Sequence, residues 1–105
     1  MQLFDDTVRV EYIRRVLWDV HTDVEAVLRA LDGRAPAPGT LDLVTVYAKL
    51  LKSYSWHTLL RLIPADRLKE ALDDDVLRRL WPASLRTRYE YARELLSRQS
   101  VSTSG

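Results

Sequence analysis

Apolar residues recur at intervals of three and four along almost the whole chain, and this period restricts the fold more than any other feature. Only three glycines and four prolines interrupt the pattern, and no alternating strand pattern of useful length is present. The sequence therefore predicts an all-α protein. With 105 residues, 47% of them hydrophobic, the chain has the size of one domain with one modest core.

The first apolar stripe is the longest. It comprises Ile13, Leu17, Val20, Val24, Val27 and Leu31. An unbroken stripe predicts one long helix from Asp6 to Leu31, about 39 Å in length and bent near residues 19–22. Thr22-Asp-Val-Glu25 has the form of a capping box and indicates the alternative, a second helix that begins there. Gly33 is expected to end the helical segment.

A Pro-rich loop at residues 33–39 separates this helix from the rest of the chain, because two prolines remove backbone donors and favour extended geometry. Thr40 is expected to cap the next helix, which runs to about Tyr54. Several shorter helices then follow, and the residues expected to begin them are Ser55, Pro64, Asp73–Asp75 and Pro82.

The inward faces of these shorter helices are expected to include Trp56 and Trp81, and the last helix is expected to end at about Arg98. Residues 99–105 are polar and predict a disordered tail. We therefore expect a small helical bundle, a single helical domain over residues 1–98 with a long N-terminal helix and several shorter C-terminal ones.

The sequence contains none of the familiar catalytic or cofactor motifs. It has no cysteine, no Gly-rich phosphate loop and no Gly-x-Ser-x-Gly segment. Two histidines are too few for a metal site, which needs three or four converging ligands, and the consecutive carboxylates Asp73–Asp75 point in different directions. We accordingly predict no catalytic residue, no metal ion and no cofactor, and a protein that is not an enzyme.

One pair of residues supports an alternative. Arg15 and His21, with five residues between them, and Arg14 and His21, with six, resemble the Arg-x4–6-His signature of the HEPN ribonucleases, small helical proteins in which both residues converge on RNA. The resemblance implies a ribonuclease toxin that uses Arg15 and His21. If Arg15 is the arginine used, Val16 departs from the pattern, since the family usually has a polar residue directly after the arginine. Such a spacing also arises by chance in a helix rich in basic residues, which is the interpretation we prefer.

Charge and hydropathy restrict the partners. The net charge of +1 is not the basic footprint of a nucleic-acid-binding domain, although short helices joined by tight turns leave a helix-turn-helix DNA-binding regulator as another alternative. No apolar stretch approaches the roughly 18 residues of a membrane span, and Met1 to Arg9 lack the apolar run of a signal peptide. A cytoplasmic protein without membrane contact is expected.

The last predicted helix carries the best candidate for a binding surface. At 100° per residue, Tyr91 points about 160° away from Tyr89, which lies on the apolar stripe, so Tyr91 is expected to be exposed. Exposed tyrosines are typical interface anchors, and the arginines of this helix are expected to form a docking surface for an acidic partner or a nucleic-acid backbone. The predicted partner-binding residues are Tyr91, Arg86, Arg88, Arg93 and Arg98. Glu90–Arg93 and Glu94–Arg98 have the spacing of surface ion pairs.

Three segments of the second half carry a further resemblance. They are Tyr54-Ser-Trp-His-Thr-Leu-Leu-Arg-Leu-Ile63, Ala65-Asp-Arg-Leu-Lys-Glu-Ala-Leu72 and Pro82-Ala-Ser-Leu-Arg-Thr-Arg-Tyr-Glu-Tyr-Ala92. Over about residues 53–96 the chain resembles small helical bacterial proteins encoded beside nucleotidyltransferase toxins of the abortive-infection type. The resemblance implies an antitoxin that binds a protein toxin directly. It transfers no catalytic residue, and it leaves open whether the protein forms a homodimer.

Overall fold

The computed structural model describes residues 2–36 and 41–104, with side chains described as far as residue 98. Its seven α-helices are α1 (Asp6–Val16), α2 (Val24–Leu31), α3 (Leu43–Ser53), α4 (Trp56–Leu62), α5 (Leu68–Ala71), α6 (Asp74–Leu77) and α7 (Ala83–Ser104). A 3-10 turn, Ala65–Arg67, leads into α5. No strand occurs in these residues, and the predicted all-α class is confirmed.

The prediction of one long N-terminal helix is wrong. The helix ends at Val16, and α2 starts only at Val24, where the Asp23 carboxylate accepts hydrogen bonds from the backbone N–H groups of Glu25 and Ala26. The alternative start indicated by the capping-box segment is therefore the one adopted, although the capping side chain is Asp23. The apolar stripe continues across the break because both helices present apolar faces to the same core.

A buried guanidinium joins the ends of this helical hairpin. Arg9 is only 2% exposed and donates to both carboxylate oxygens of Asp32, at 3.2 and 2.6 Å. It also donates to the Leu62 carbonyl oxygen from Nε at 3.2 Å and from Nη2 at 3.0 Å. Since Arg9 lies near the start of α1 and Asp32 follows the end of α2, the two helices run antiparallel. The same guanidinium attaches the hairpin to the end of α4.

Helix α3 lies at the centre of the domain. It packs against α1, α4, α5 and α6, and one side of it is fully covered. Its buried residues are Val46, Tyr47, Ala48, Leu50 and Leu51. The Tyr47 hydroxyl donates to a Glu70 carboxylate oxygen at 2.8 Å, so the polar end of this core residue is satisfied.

Several predicted helix boundaries are confirmed. Gly33 ends α2 with φ +76°, and the two hydrogen bonds from Gly33 N–H to Ala30 O and from Arg34 N–H to Arg29 O form a Schellman motif. The Ser55 hydroxyl caps α4 by accepting from Thr58 N–H at 3.4 Å. Residues 33–36 of the predicted loop are non-helical.

Other boundaries differ from the prediction or fall outside the described residues. The predicted cap Thr40 and the loop residues 37–39 lie outside them, and the observed cap of α3 is Asp42, which accepts from Val44 N–H at 2.9 Å. Helix α7 continues to Ser104, past the predicted end at Arg98. The disorder of residues 99–105 stays a prediction.

The expectation that Trp81 belongs to the core is wrong, since it is 79% exposed. Trp81 follows Leu80, which is buried, in the turn between α6 and α7. Because consecutive side chains in a turn diverge, burial of Leu80 directs Trp81 into solvent. Trp56 is partly buried and packs against the core as predicted.

Candidate protein-interaction surface

Tyr89 attaches α7 to the rest of the domain. Its ring is buried beside Trp56, with 6.3 Å between the ring centroids, and its hydroxyl lies 3.0 Å from Leu51 O and 3.2 Å from Tyr54 O. These carbonyls belong to the last turn of α3 and its cap, where backbone acceptors lack partners within the helix. Burial raises the pKa of the Tyr89 phenol above its usual value.

The anchored helix and α4 form the two walls of an apolar groove of about 400 Å³, which we call the α4–α7 groove. Trp56 and Leu60 line the first wall, one helical turn apart on α4. The second wall is a continuous surface of α7. Its lining residues are Arg88, Tyr89, Tyr91, Ala92, Leu95 and Leu96.

Two of these residues are unusually exposed for their apolar character. Tyr91 is 61% and Leu95 is 40% exposed, while Ala92 and Leu96 beside them are only partly buried. The core covers one stripe of α7 and leaves this second stripe open. An aromatic and a leucine in an open groove can bind an apolar surface of another molecule.

The structure brings two of the five predicted partner-binding residues into the groove. The predicted exposure of Tyr91 is confirmed, and Arg88 lines the same groove. On its other side Tyr91 borders a shallow hollow formed with polar residues of the same helix. Arg86 is exposed on α7 but is not among the residues that line the groove.

The remaining two arginines are engaged in ion pairs. The predicted pair between Glu94 and Arg98 is confirmed at 2.8 Å. Arg93 pairs with Asp74 at the start of α6, whereas its spacing along α7 predicted a pair with Glu90. The Arg93 guanidinium, through its hydrogen bond and its charge, lowers the pKa of Asp74 below its usual range. Arg93 therefore joins α6 to α7, a role within the domain.

Sequence reasoning missed half of the groove. Trp56 and Leu60 join it from another helix, which no pattern within α7 indicates. Leu95 could have been found in the same way as Tyr91, since at 100° per residue it points about 120° away from Tyr89. Trp18 in the turn after α1 is also exposed but, like Trp81, does not line the groove. Single exposed apolar side chains of this kind are common.

The residues of the alternative ribonuclease interpretation lie at the end of α1. The Arg15 guanidinium lies 5.7 Å from the ring centroid of Tyr12, and His21 is exposed in the segment before α2. His57 is exposed at the start of α4. Of the three neighbouring aspartates, Asp75 pairs with Arg78 at 3.6 Å. In the described residues no three histidine or carboxylate side chains cluster closely enough to hold a metal ion.

A second groove, of about 430 Å³, lies between α1 and α2 and is mostly charged. Some of its carboxylates are bound by guanidinium groups. Asp32 and Asp6 bind the buried Arg9, and Glu11 binds Arg14 at 3.3 Å. Three of the carboxylates that line this groove are therefore engaged in ion pairs within the domain.

No family model, curated protein or solved structure matches the chain. Among the residues described, no helix has both the length and the apolar character needed to span a bilayer.

Proposed function

We propose that this protein is a helical protein-binding module whose partner docks in the α4–α7 groove. The observation that carries the proposal is the uncovered apolar stripe of Tyr91 and Leu95 opposite Trp56 and Leu60. Tyrosine and tryptophan bury a large area while keeping a polar atom, and they are enriched among the residues that dominate binding energies. A small domain can keep such a stripe open because a partner covers it.

The more specific proposal is an antitoxin that neutralises a bacterial nucleotidyltransferase toxin by direct contact. The resemblance to proteins encoded beside such toxins covers residues 53–96, and both walls of the groove, from Trp56 to Leu96, lie inside this segment. A partner held there would have its catalytic cleft covered or distorted. The role requires no catalytic residue in the antitoxin, and it places both proteins in the cytoplasm.

Co-expression with the protein encoded by the neighbouring gene tests the proposal. We expect the two proteins to elute together in size-exclusion chromatography, and the toxicity of the neighbour to be relieved. Tyr91→Ala should weaken the complex by about 2 kcal/mol, or roughly thirtyfold in Kd, as for an interface anchor. A protein that elutes alone and leaves the toxicity unchanged contradicts the antitoxin role.

Val8 provides a matched control. It is 39% exposed on α1, almost the same as Leu95 on α7, and it does not line the groove. Leu95→Ser and Val8→Ser therefore remove similar apolar area from two different surfaces. We expect Leu95→Ser to weaken the complex and Val8→Ser to leave it unchanged. Equal losses in the two variants would show that the groove is not the docking surface.

A further inference from the structure

We propose that the α4–α7 groove receives a single amphipathic helix of the partner, with an acidic residue of that helix against Arg88. This inference rests on the proposed function and specifies the chemistry of the segment that binds. It follows from the length of the groove, from the helical backbone of both walls, whose hydrogen bonds are made within each helix, and from the positive charge of Arg88.

The length of the groove suits a short helix. From Arg88 to Leu96 the α7 wall covers about 12 Å, at 1.5 Å per residue. This length matches two turns of a bound helix, which would present apolar residues at positions i, i+3 or i+4, and i+7. The α4 wall, with Trp56 and Leu60 one turn apart, supplies the second side.

An extended segment has much less to bind. Strand addition depends on an exposed sheet edge with free N–H and C=O groups. Both walls of this groove are helices, whose interior backbone groups bond within the helix. Affinity must therefore come from side chains, and a helix with one apolar face offers them at the required spacing.

Of the side chains that the structure describes, Arg88 is the one charged group that lines the groove. Among the described side chains it joins no ion pair, whereas Arg93 and Arg98 on the same helix bind Asp74 and Glu94. A guanidinium at the edge of an apolar groove attracts a carboxylate, with which it can form two parallel hydrogen bonds. Arg88 lies toward the start of α7, so the acidic residue is expected at one end of the apolar stripe of the bound helix.

A display library of helical peptides tests the proposal with a defined probe. Each peptide carries leucine at i, i+3 and i+7, and the flanking positions vary among Glu, Gln and Lys. Selection on the wild-type protein should enrich Glu at one flank. Selection on Arg88→Glu should enrich Lys at the same flank. Exchanging Glu for Lys in a selected peptide should weaken wild-type binding about fivefold or more, the effect of a partly exposed ion pair.

Arg86→Glu is the matched control, since Arg86 is exposed on the same helix, carries the same charge and does not line the groove. We expect it to retain the wild-type preference for Glu. An equal response to Arg86→Glu and Arg88→Glu overturns the proposal, because net charge alone would then explain the selection. Selection on the wild-type protein that enriches no acidic residue also overturns the proposal. Failure of the peptide selection leaves the proposed function standing if Tyr91→Ala still disrupts the complex with the neighbouring protein.

A second copy of the chain is the rival occupant, and light scattering after size-exclusion chromatography examines it. The proposal expects a monomer at micromolar concentration, with or without Leu95→Glu. A wild-type dimer that Leu95→Glu dissociates, while Val8→Glu does not, would assign the groove to self-association and overturn the proposal.

Discussion

Replacement of Arg9 by methionine should cost more stability than any exposed substitution in this protein. The side chain is 2% exposed, and its guanidinium binds both oxygens of Asp32, the Leu62 carbonyl and, at 3.3 Å, Asp6. Methionine has a similar unbranched shape without the charge or the donors. It would leave the Asp32 carboxylate, whose side chain is 11% exposed, without its counter-ion.

The magnitude follows from the burial of that carboxylate. Removal of one partner of a buried ion pair costs about 3–5 kcal/mol, since the remaining charge is poorly solvated. Asp32 keeps some contact with water, so we expect the lower end, about 3 kcal/mol. For a domain of this size each kcal/mol lowers Tm by about 4–8 °C, which gives a decrease of roughly 12–24 °C.

Urea and thermal unfolding followed by circular dichroism measure this loss. Arg14→Met is the matched control, because Arg14 pairs with Glu11 three residues away on the same helix and both side chains are more than half exposed. Such a pair contributes about 0–1 kcal/mol. If Arg9→Met loses no more than Arg14→Met, the assignment of Arg9 as the link between α1, α2 and α4 is refuted.

A double-mutant cycle separates the ion pair from the packing of the side chain. Adding Asp32→Asn to Arg9→Met removes the uncompensated charge, so the double variant should be more stable than Arg9→Met alone. A double variant that loses the sum of the two single losses would show that the two groups are energetically independent.

Three further predictions concern a glycine and two titrating groups. Gly33→Ala should lower stability by about 1–2 kcal/mol, because φ is +76°, a left-handed conformation that is strained for a residue with a Cβ; an unchanged Tm would contradict this. The pKa of Asp74 is lowered by Arg93, so its stabilising effect is present above about pH 4 and is lost as pH falls. Asp74→Asn should therefore be less stable than wild type at neutral pH and approach it in acid, and a constant difference would argue against the pair. Burial and the Glu70 bond raise the pKa of Tyr47, so stability should fall as pH rises above about 10. Absorbance at 295 nm should show that part of the phenol titration coincides with unfolding, which Tyr47→Phe would reduce.

The helical class could be predicted from the sequence, because the spacing of apolar residues depends on local geometry. The continuity of the first helix could not. A stripe from Ile13 to Leu31 fits one long helix, and it also fits a hairpin whose two helices face the same core. The choice depends on the contact between Arg9 and Asp32, residues 23 positions apart, and on the cap at Asp23. Neither the contact nor its strength is visible in the periodicity.

In the candidate site, too, features set within one helix could be predicted and contacts between helices could not. The exposure of Tyr91 follows from its angle to Tyr89 on a single helix, and that prediction is confirmed. The partner of Arg93 is on another helix, so the local spacing to Glu90 predicted the wrong pair. Trp81 was expected inside because it is large and apolar, yet the turn after α6 allows only Leu80 to reach the core.

The position of α7 connects the stability of the domain to its proposed binding surface. Tyr89 and the Arg93–Asp74 pair hold one side of the helix, and the groove forms because Trp56 lies against Tyr89. A substitution that loosens this attachment, such as Tyr89→Phe, would leave the Leu51 and Tyr54 carbonyls without the hydroxyl donor while retaining the apolar ring. The groove would keep an apolar ring at this position and lose part of its fixed geometry, so the free energy of binding to the groove should weaken by more than the free energy of unfolding decreases.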